Sequence, residues 1–158
     1  MKIENLFLDF DGVFIRGGQP DRLAVEVIRD LISQHQPQIF LITMWQTWGD
    51  KQKQKMYQTL EDLFALTRQN VIETPLEILE KEYEVSNSLH LVFQHPFAAN
   101  KQAAVRYHIK TQSLTLDTCL VLDDYDLHLP CQPFICDAGQ QWIPTLIQLA
   151  QLQRTKAE

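Results

Sequence analysis

The run Leu6-Phe7-Leu8 ends in Asp9-Phe10-Asp11-Gly12, and this feature constrains the fold most tightly. A short apolar segment that stops so abruptly reads as a strand buried on both faces, the kind used by parallel sheets. Its two aspartates then stand at the C-terminal end, where open α/β sheets place their chemistry. Gly12 permits a sharp turn. Two carboxylates this close repel one another and resist desolvation, which implies a bound cation. The competing reading is a plain Asp-Gly turn after a strand.

Strand-like and helix-like segments alternate along the rest of the chain, which predicts a parallel sheet with helices on both faces. Strand one covers about Ile3 to Leu8. A helix follows over Asp21 to Gln34, with Leu23, Val27, Ile28, Leu31 and Ile32 at helical spacing. Strand two is Ile39 to Ile42, and a second helix runs from Asp50 to about Leu66. A short strand near Asn70 to Glu73 precedes a brief helix opened by Pro75. Further strands are expected at Leu89 to Phe93, Cys119 to Leu122 and Phe134 to Cys136, with helices over Ala98 to Ile109 and from about Pro144. The pattern describes one domain over residues 1–158, with residues 74–97 open to a small insertion.

Composition narrows the class. A 45% hydrophobic, 22% charged chain of 158 residues is an ordinary globular domain. The net charge of −6 argues against a general nucleic-acid binder, although a local basic groove stays open. Cys119, Cys131 and Cys136 lack zinc or disulfide spacing, which places the chain in a reducing cytosol. His35, His90, His95, His108 and His128 are scattered without ligand spacing, so zinc is not expected. No apolar run is long enough to span a membrane, and no nucleotide-binding glycine loop is present.

Four places carry chemistry in order. Strand one ends in Asp9 and Asp11. Strand two ends in Thr43. The helix near residue 100 begins with Asn100-Lys101. The strand Leu120-Val121-Leu122 ends in Asp123-Asp124. In a right-handed parallel sheet the strand ends share one edge. Taken alone, Thr43 reads as a strand-end hydroxyl, Lys101 as a surface lysine and Asp123-Asp124 as a cap. Lys51, Lys53, Lys55 and Lys110 compete with Lys101, and Asp126, Asp137 and Gly139 read as turn or rim residues.

The order DxD, Thr, Lys, paired acids resembles the motif series of the haloacid-dehalogenase-like (HAD) phosphohydrolases, from Asp9 to Asp124. The resemblance implies a three-layer Rossmann-like fold and a Mg²⁺-dependent phosphatase. It implies Asp9 as nucleophile, Asp11 as general acid and base, and Thr43 and Lys101 as phosphoryl-binding groups. Asp9, the backbone carbonyl of Asp11, and Asp124 supported by Asp123 would hold Mg²⁺. The Thr43-Met44-Trp45-Gln46 stretch also resembles a small HAD subgroup found as domains in RNA-repair proteins. One departure is Met44, which stands where family members often carry a small polar residue.

Caps that select substrates in this family lie after the first motif or between the second and third. Positions 12–42 supply 31 residues, used by one helix and one strand, and positions 44–100 supply 57. The chain therefore resembles minimal-cap members. Expected partners are a phosphorylated small molecule, a nucleotide or nucleic-acid end, or a phosphoprotein, with no membrane partner. Trp45 and Trp48 either stack on a base at the pocket mouth or pack against the next helix. Two further readings stay open: a HAD-fold binding or regulatory module with little turnover, and a phosphotransferase.

Overall fold

The structure is a computed structural model that describes residues 2–82 and 95–157, of which 151–157 by backbone alone. Among the described residues there are six strands: β1 (Asn5–Leu8), β2 (Ile15–Arg16), β3 (Gln19–Pro20), β4 (Gln38–Leu41), β5 (Val71–Ile72) and β6 (Cys119–Leu122). The helices are α1 (Arg22–His35), α2 (Asp50–Phe64), α3 (Leu76–Leu79), α4 (Pro96–Thr111) and α5 (Trp142–Ala157). Four strands form one parallel sheet in the order β5-β4-β1-β6.

Alternation along the strands separates two cores, as a period of two requires. Leu6 and Leu8 join Ile39, Leu41, Leu120 and Leu122 on one face, covered by α1, α2 and α5. Phe7 joins Phe40, Ile42, Cys119 and Val121 on the other, covered by α3 and α4. All four β1 residues are buried, because helices cover both faces. The result is an α/β sandwich with a Rossmann-like layout. From β1 the chain moves outward through β4 to β5, then returns to place β6 on the opposite side of β1. That reversal is a topological switch point, where α/β sheets open a crevice at their C-terminal edge.

Local signals set the element ends. Asp21 caps α1 by accepting from the Ala24 amide, and Gln36 closes it in the left-handed region. His95 caps α4, and Pro96 occupies its first turn. Two expectations fail. Phe134 to Cys136 is not a strand: it makes a single bond toward β6, from the Cys136 amide to the Asp123 carbonyl. Conversely, β2 and β3 form an unforeseen hairpin, turned by Gly17 and Gly18 at φ 58° and 78°. The C-terminal helix begins at Trp142, two residues before Pro144. The strand expected at Leu89 to Phe93 lies outside the described residues.

Candidate metal and phosphoryl site

The ends of β4, β1 and β6 advance together. Ile42 donates its amide to the Leu8 carbonyl and Asp9 donates its own to the Leu122 carbonyl. Asp9 therefore emerges between Thr43 on one side and Asp123-Asp124 on the other. Beyond Asp9 the chain wraps on itself: the amides of Val13, Phe14 and Ile15 all point at the Phe10 carbonyl. Gly12 sits in this wrap at φ +82°, and a Cβ there would lie 2.2 Å from Asp124 Oδ2. Only glycine lets Asp124 fold over the turn.

Asp9, Asp123 and Asp124 each present a carboxylate oxygen within 4.8 Å of the others. Lys101, from the second turn of α4, reaches into this group. Its Nζ lies 2.9 Å from Asp9 Oδ2 and 3.2 Å from Asp123 Oδ2, and all three side chains are buried. The Tyr125 amide donates to Asp123 Oδ1 at 2.9 Å. The Tyr125 ring covers Lys101 Nζ at 5.0 Å, and the His95 ring stacks on Tyr125. These two aromatics shield the ammonium from water, a role the sequence did not reveal.

Charge does not balance within the cluster, since one ammonium faces three carboxyl groups. Burial pushes the Asp9 carboxyl up to about 6 against the pull of Lys101, and the Asp124 charge adds to the rise. Burial, followed by the Asp9 charge, raises Asp123 well above the usual carboxylate range. Burial draws Lys101 down, but Asp9 and Asp123 more than reverse this and hold it above its usual value. Among the described residues, Asp124 Oδ1 is a buried oxygen with no hydrogen-bond partner. Buried polar atoms are rarely left so. An uncompensated negative charge and an orphaned oxygen together fit a hard cation held by oxygen donors.

Thr43 and Asp11 are joined to each other through Trp45 rather than to the carboxylate cluster. Thr43 is fully buried, and its Oγ1 accepts from the Trp45 amide at 3.2 Å, which caps a short 3₁₀ turn over Met44–Thr47. Asp11 stands apart from the carboxylate cluster. It is exposed, and its Oδ2 accepts from Trp45 Nε1 at 2.7 Å. Met44 is buried with Phe40, Ile42 and Leu79, so its side chain belongs to the core. Trp45 is 5% exposed and Trp48 is 49% exposed, so only Trp48 offers a free ring. Of the competing lysines, Lys53 pairs with Glu73 and Lys55 lies over the Trp45 ring. Asp126 accepts from the His128 amide within a turn, and Arg16 Nη2 donates to the Asp137 carbonyl. A pocket of about 560 Å³, lined in part by Met44, Thr47, Leu79, Phe97 and Asn100, opens between the chain neighbours of Thr43 and Lys101.

No described helix is long and apolar enough to cross a membrane. Comparison with protein-family models, curated proteins and solved structures found no match to this chain.

Proposed function

We propose that this chain is a Mg²⁺-dependent phosphohydrolase that works through an aspartyl-phosphate on Asp9. The observation that carries the reading is the cluster of Asp9, Asp123 and Asp124 around Lys101 at the C-terminal edge of the sheet, with a buried oxygen of Asp124 unpartnered. The motif order DxD, Thr, Lys, paired acids, similar to the HAD phosphohydrolases, supplies the reaction class.

Asp9 and Asp124, with the Asp11 carbonyl, would hold the cation, and Asp123 would support them while pairing with Lys101. When bound, Mg²⁺ offsets the charge of the phosphoryl oxygens and of the carboxylates around them. Asp9 attacks phosphorus through one oxygen, while Lys101 keeps the other oriented at 2.9 Å. Thr43 spends its lone pair on the Trp45 amide and keeps its hydroxyl proton for a phosphoryl oxygen. Asp11 protonates the departing oxygen, then accepts the proton of the water that releases phosphate from Asp9.

The test is phosphate release from p-nitrophenyl phosphate, nucleotides, 3′- and 5′-phosphorylated oligonucleotides and phosphopeptides, with and without Mg²⁺. Turnover that requires Mg²⁺, and that Asp9→Asn lowers by about a thousandfold or more, is the expected result. No turnover on any substrate while Mg²⁺ still binds would replace this reading with that of a binding or regulatory module.

A further inference from the structure

Asp11 is exposed, and an exposed aspartate ordinarily samples several rotamers. Here one oxygen is taken. Trp45 Nε1 lies 2.7 Å from Asp11 Oδ2, a short distance for N–H to oxygen and one typical of bonds to a charged acceptor. The indole is itself buried and held by two neighbours. It is 5% exposed, its ring packs on Phe10 at a centroid distance of 5.0 Å, and Lys55 Nζ sits 5.5 Å from its centroid. Its backbone amide donates to Thr43 Oγ1. One residue thus ties the exposed carboxyl to the buried hydroxyl across the mouth of the site.

An indole N–H can only donate. The Asp11 oxygen that faces it must therefore accept, in both protonation states of the carboxyl. The proton is confined to Oδ1, and the plane of the group is fixed. We infer that Trp45 is a positioning residue for the proton transfers of Asp11, an inference that rests on the phosphohydrolase reading above. In the first step a bond forms between an Asp9 oxygen and phosphorus, the bond from phosphorus to the leaving oxygen breaks, and the Oδ1 proton moves to that oxygen. In the second step water attacks phosphorus, its proton passes to Oδ1, the bond from Asp9 to phosphorus breaks, and inorganic phosphate leaves. Atoms balance, and Asp11 and Asp9 return to their starting states. The Trp45 indole touches no reacting atom and acts through Asp11.

This role makes a prediction that a purely structural tryptophan would not. Nitrophenolate departs readily without a proton, whereas phenolate needs one. The value of kcat/KM reports the steps up to leaving-group departure. Trp45→Phe keeps the contact with Phe10 and removes the donor. It should lower kcat/KM for phenyl phosphate about tenfold or more, and that for p-nitrophenyl phosphate by less than about threefold. In an Asp11→Asn background the same substitution should add no further dependence on the leaving group. Equal losses on the two esters, or no loss on either, would overturn the positioning role.

The bond can also be read in the wild-type chain without altering Trp45. Its indole ¹⁵N–¹H resonance should lie downfield of that of Trp48 and move upfield in Asp11→Ala. An unmoved resonance contradicts the proposal even where Trp45→Phe fails to fold. Failure of the underlying reading looks different: a wild-type chain with no turnover that depends on Mg²⁺ and Asp9 removes the reaction, and the role of Trp45 with it. An active wild type with equal losses on both esters removes only the latter.

Discussion

Two polar clusters flank the C-terminal end of β4, and they are completed in opposite ways. In the neutral one, Gln46 Nε2 donates to the carbonyls of Leu41 and Thr43, and Gln46 Oε1 accepts from the Thr74 amide. The Thr74 hydroxyl donates to the Leu41 carbonyl at 2.7 Å and meets His108 Nε2 at 2.9 Å. Its single proton is used on Leu41, so the ring proton of His108 belongs on Nε2. In the charged cluster, Asp9, Asp123 and Lys101 pair with one another, yet Asp124 Oδ1 stays unpartnered and negative charge is in excess. A closed network fixes how α4, β4 and the segment after β5 meet. An open one leaves valence for a ligand.

Acid should pull the two clusters in opposite directions, and this is the largest effect expected. Burial lowers His108 to about 4, so the unfolded chain takes up its proton first as pH falls. The stability that His108 protects is complete above its unfolded value near 6.5 and is lost between there and pH 4, by up to about 3 kcal/mol. Asp9 has the reverse sign. Its folded value is raised to about 6, so acid relieves a cost carried at neutral pH. Asp123, raised well above the usual carboxylate range, adds to the side of Asp9. Replacing His108 with leucine removes one side. The difference in unfolding free energy between wild type and His108→Leu, measured in chelator by urea titration, should fall by that amount from pH 6.5 to 4. Parallel curves would show that His108 charges freely in the folded chain.

Sequence reasoning reached the charged cluster and missed the neutral one, for a physical reason. Asp9 and Asp123 follow apolar runs whose periodicity marks them as buried strands, and the right-handed crossover rule carries both to one edge. Lys101 follows from the helix read near residue 100, although α4 begins earlier, at Pro96, and puts Lys101 in its second turn. Gln46, Thr74 and His108 sit on three different elements, 28 and 34 residues apart, and no local pattern joins them. The contact between Trp45 and Asp11 is tertiary in the same sense, 34 residues apart. The hairpin of β2 and β3 escaped because two-residue strands have no period, although Gly17-Gly18 is a two-residue hairpin turn signal. The strand expected at Phe134 to Cys136 failed because three apolar residues carry too little period to tell a strand from a packed loop, and the segment makes one backbone bond at the sheet edge.

Metal should distinguish the clusters next. A ligand that binds only the folded state stabilises it by RT ln(1 + [L]/Kd), about 2.7 kcal/mol at one hundred times Kd. Mg²⁺ should therefore raise the thermal midpoint of the wild-type chain. Asp124→Asn keeps the shape and removes the unpaired charge, and it should abolish most of that rise. His108→Leu should show the wild-type increment on a lower baseline. A midpoint indifferent to Mg²⁺ at millimolar concentration would leave the orphaned oxygen of Asp124 without the partner assigned to it.

The smallest effect tests whether the neutral network is purely architectural. Thr74→Val preserves volume and removes the hydroxyl. The Leu41 carbonyl keeps Gln46, but the N–H of His108 loses its acceptor inside the core. An orphaned buried donor of this kind costs about 1–2 kcal/mol, read as a lower urea midpoint at unchanged m-value. Turnover and the Mg²⁺ increment should remain within about twofold, because the variant leaves Asp9, Lys101 and Asp124 untouched. A loss of turnover larger than the loss of stability would mean that the network sets the position of Thr43 through Gln46, which binds the Thr43 carbonyl at 2.9 Å. The two clusters would then form one continuous device, with the Thr43 hydroxyl proposed for the phosphoryl group held in place from the neutral side.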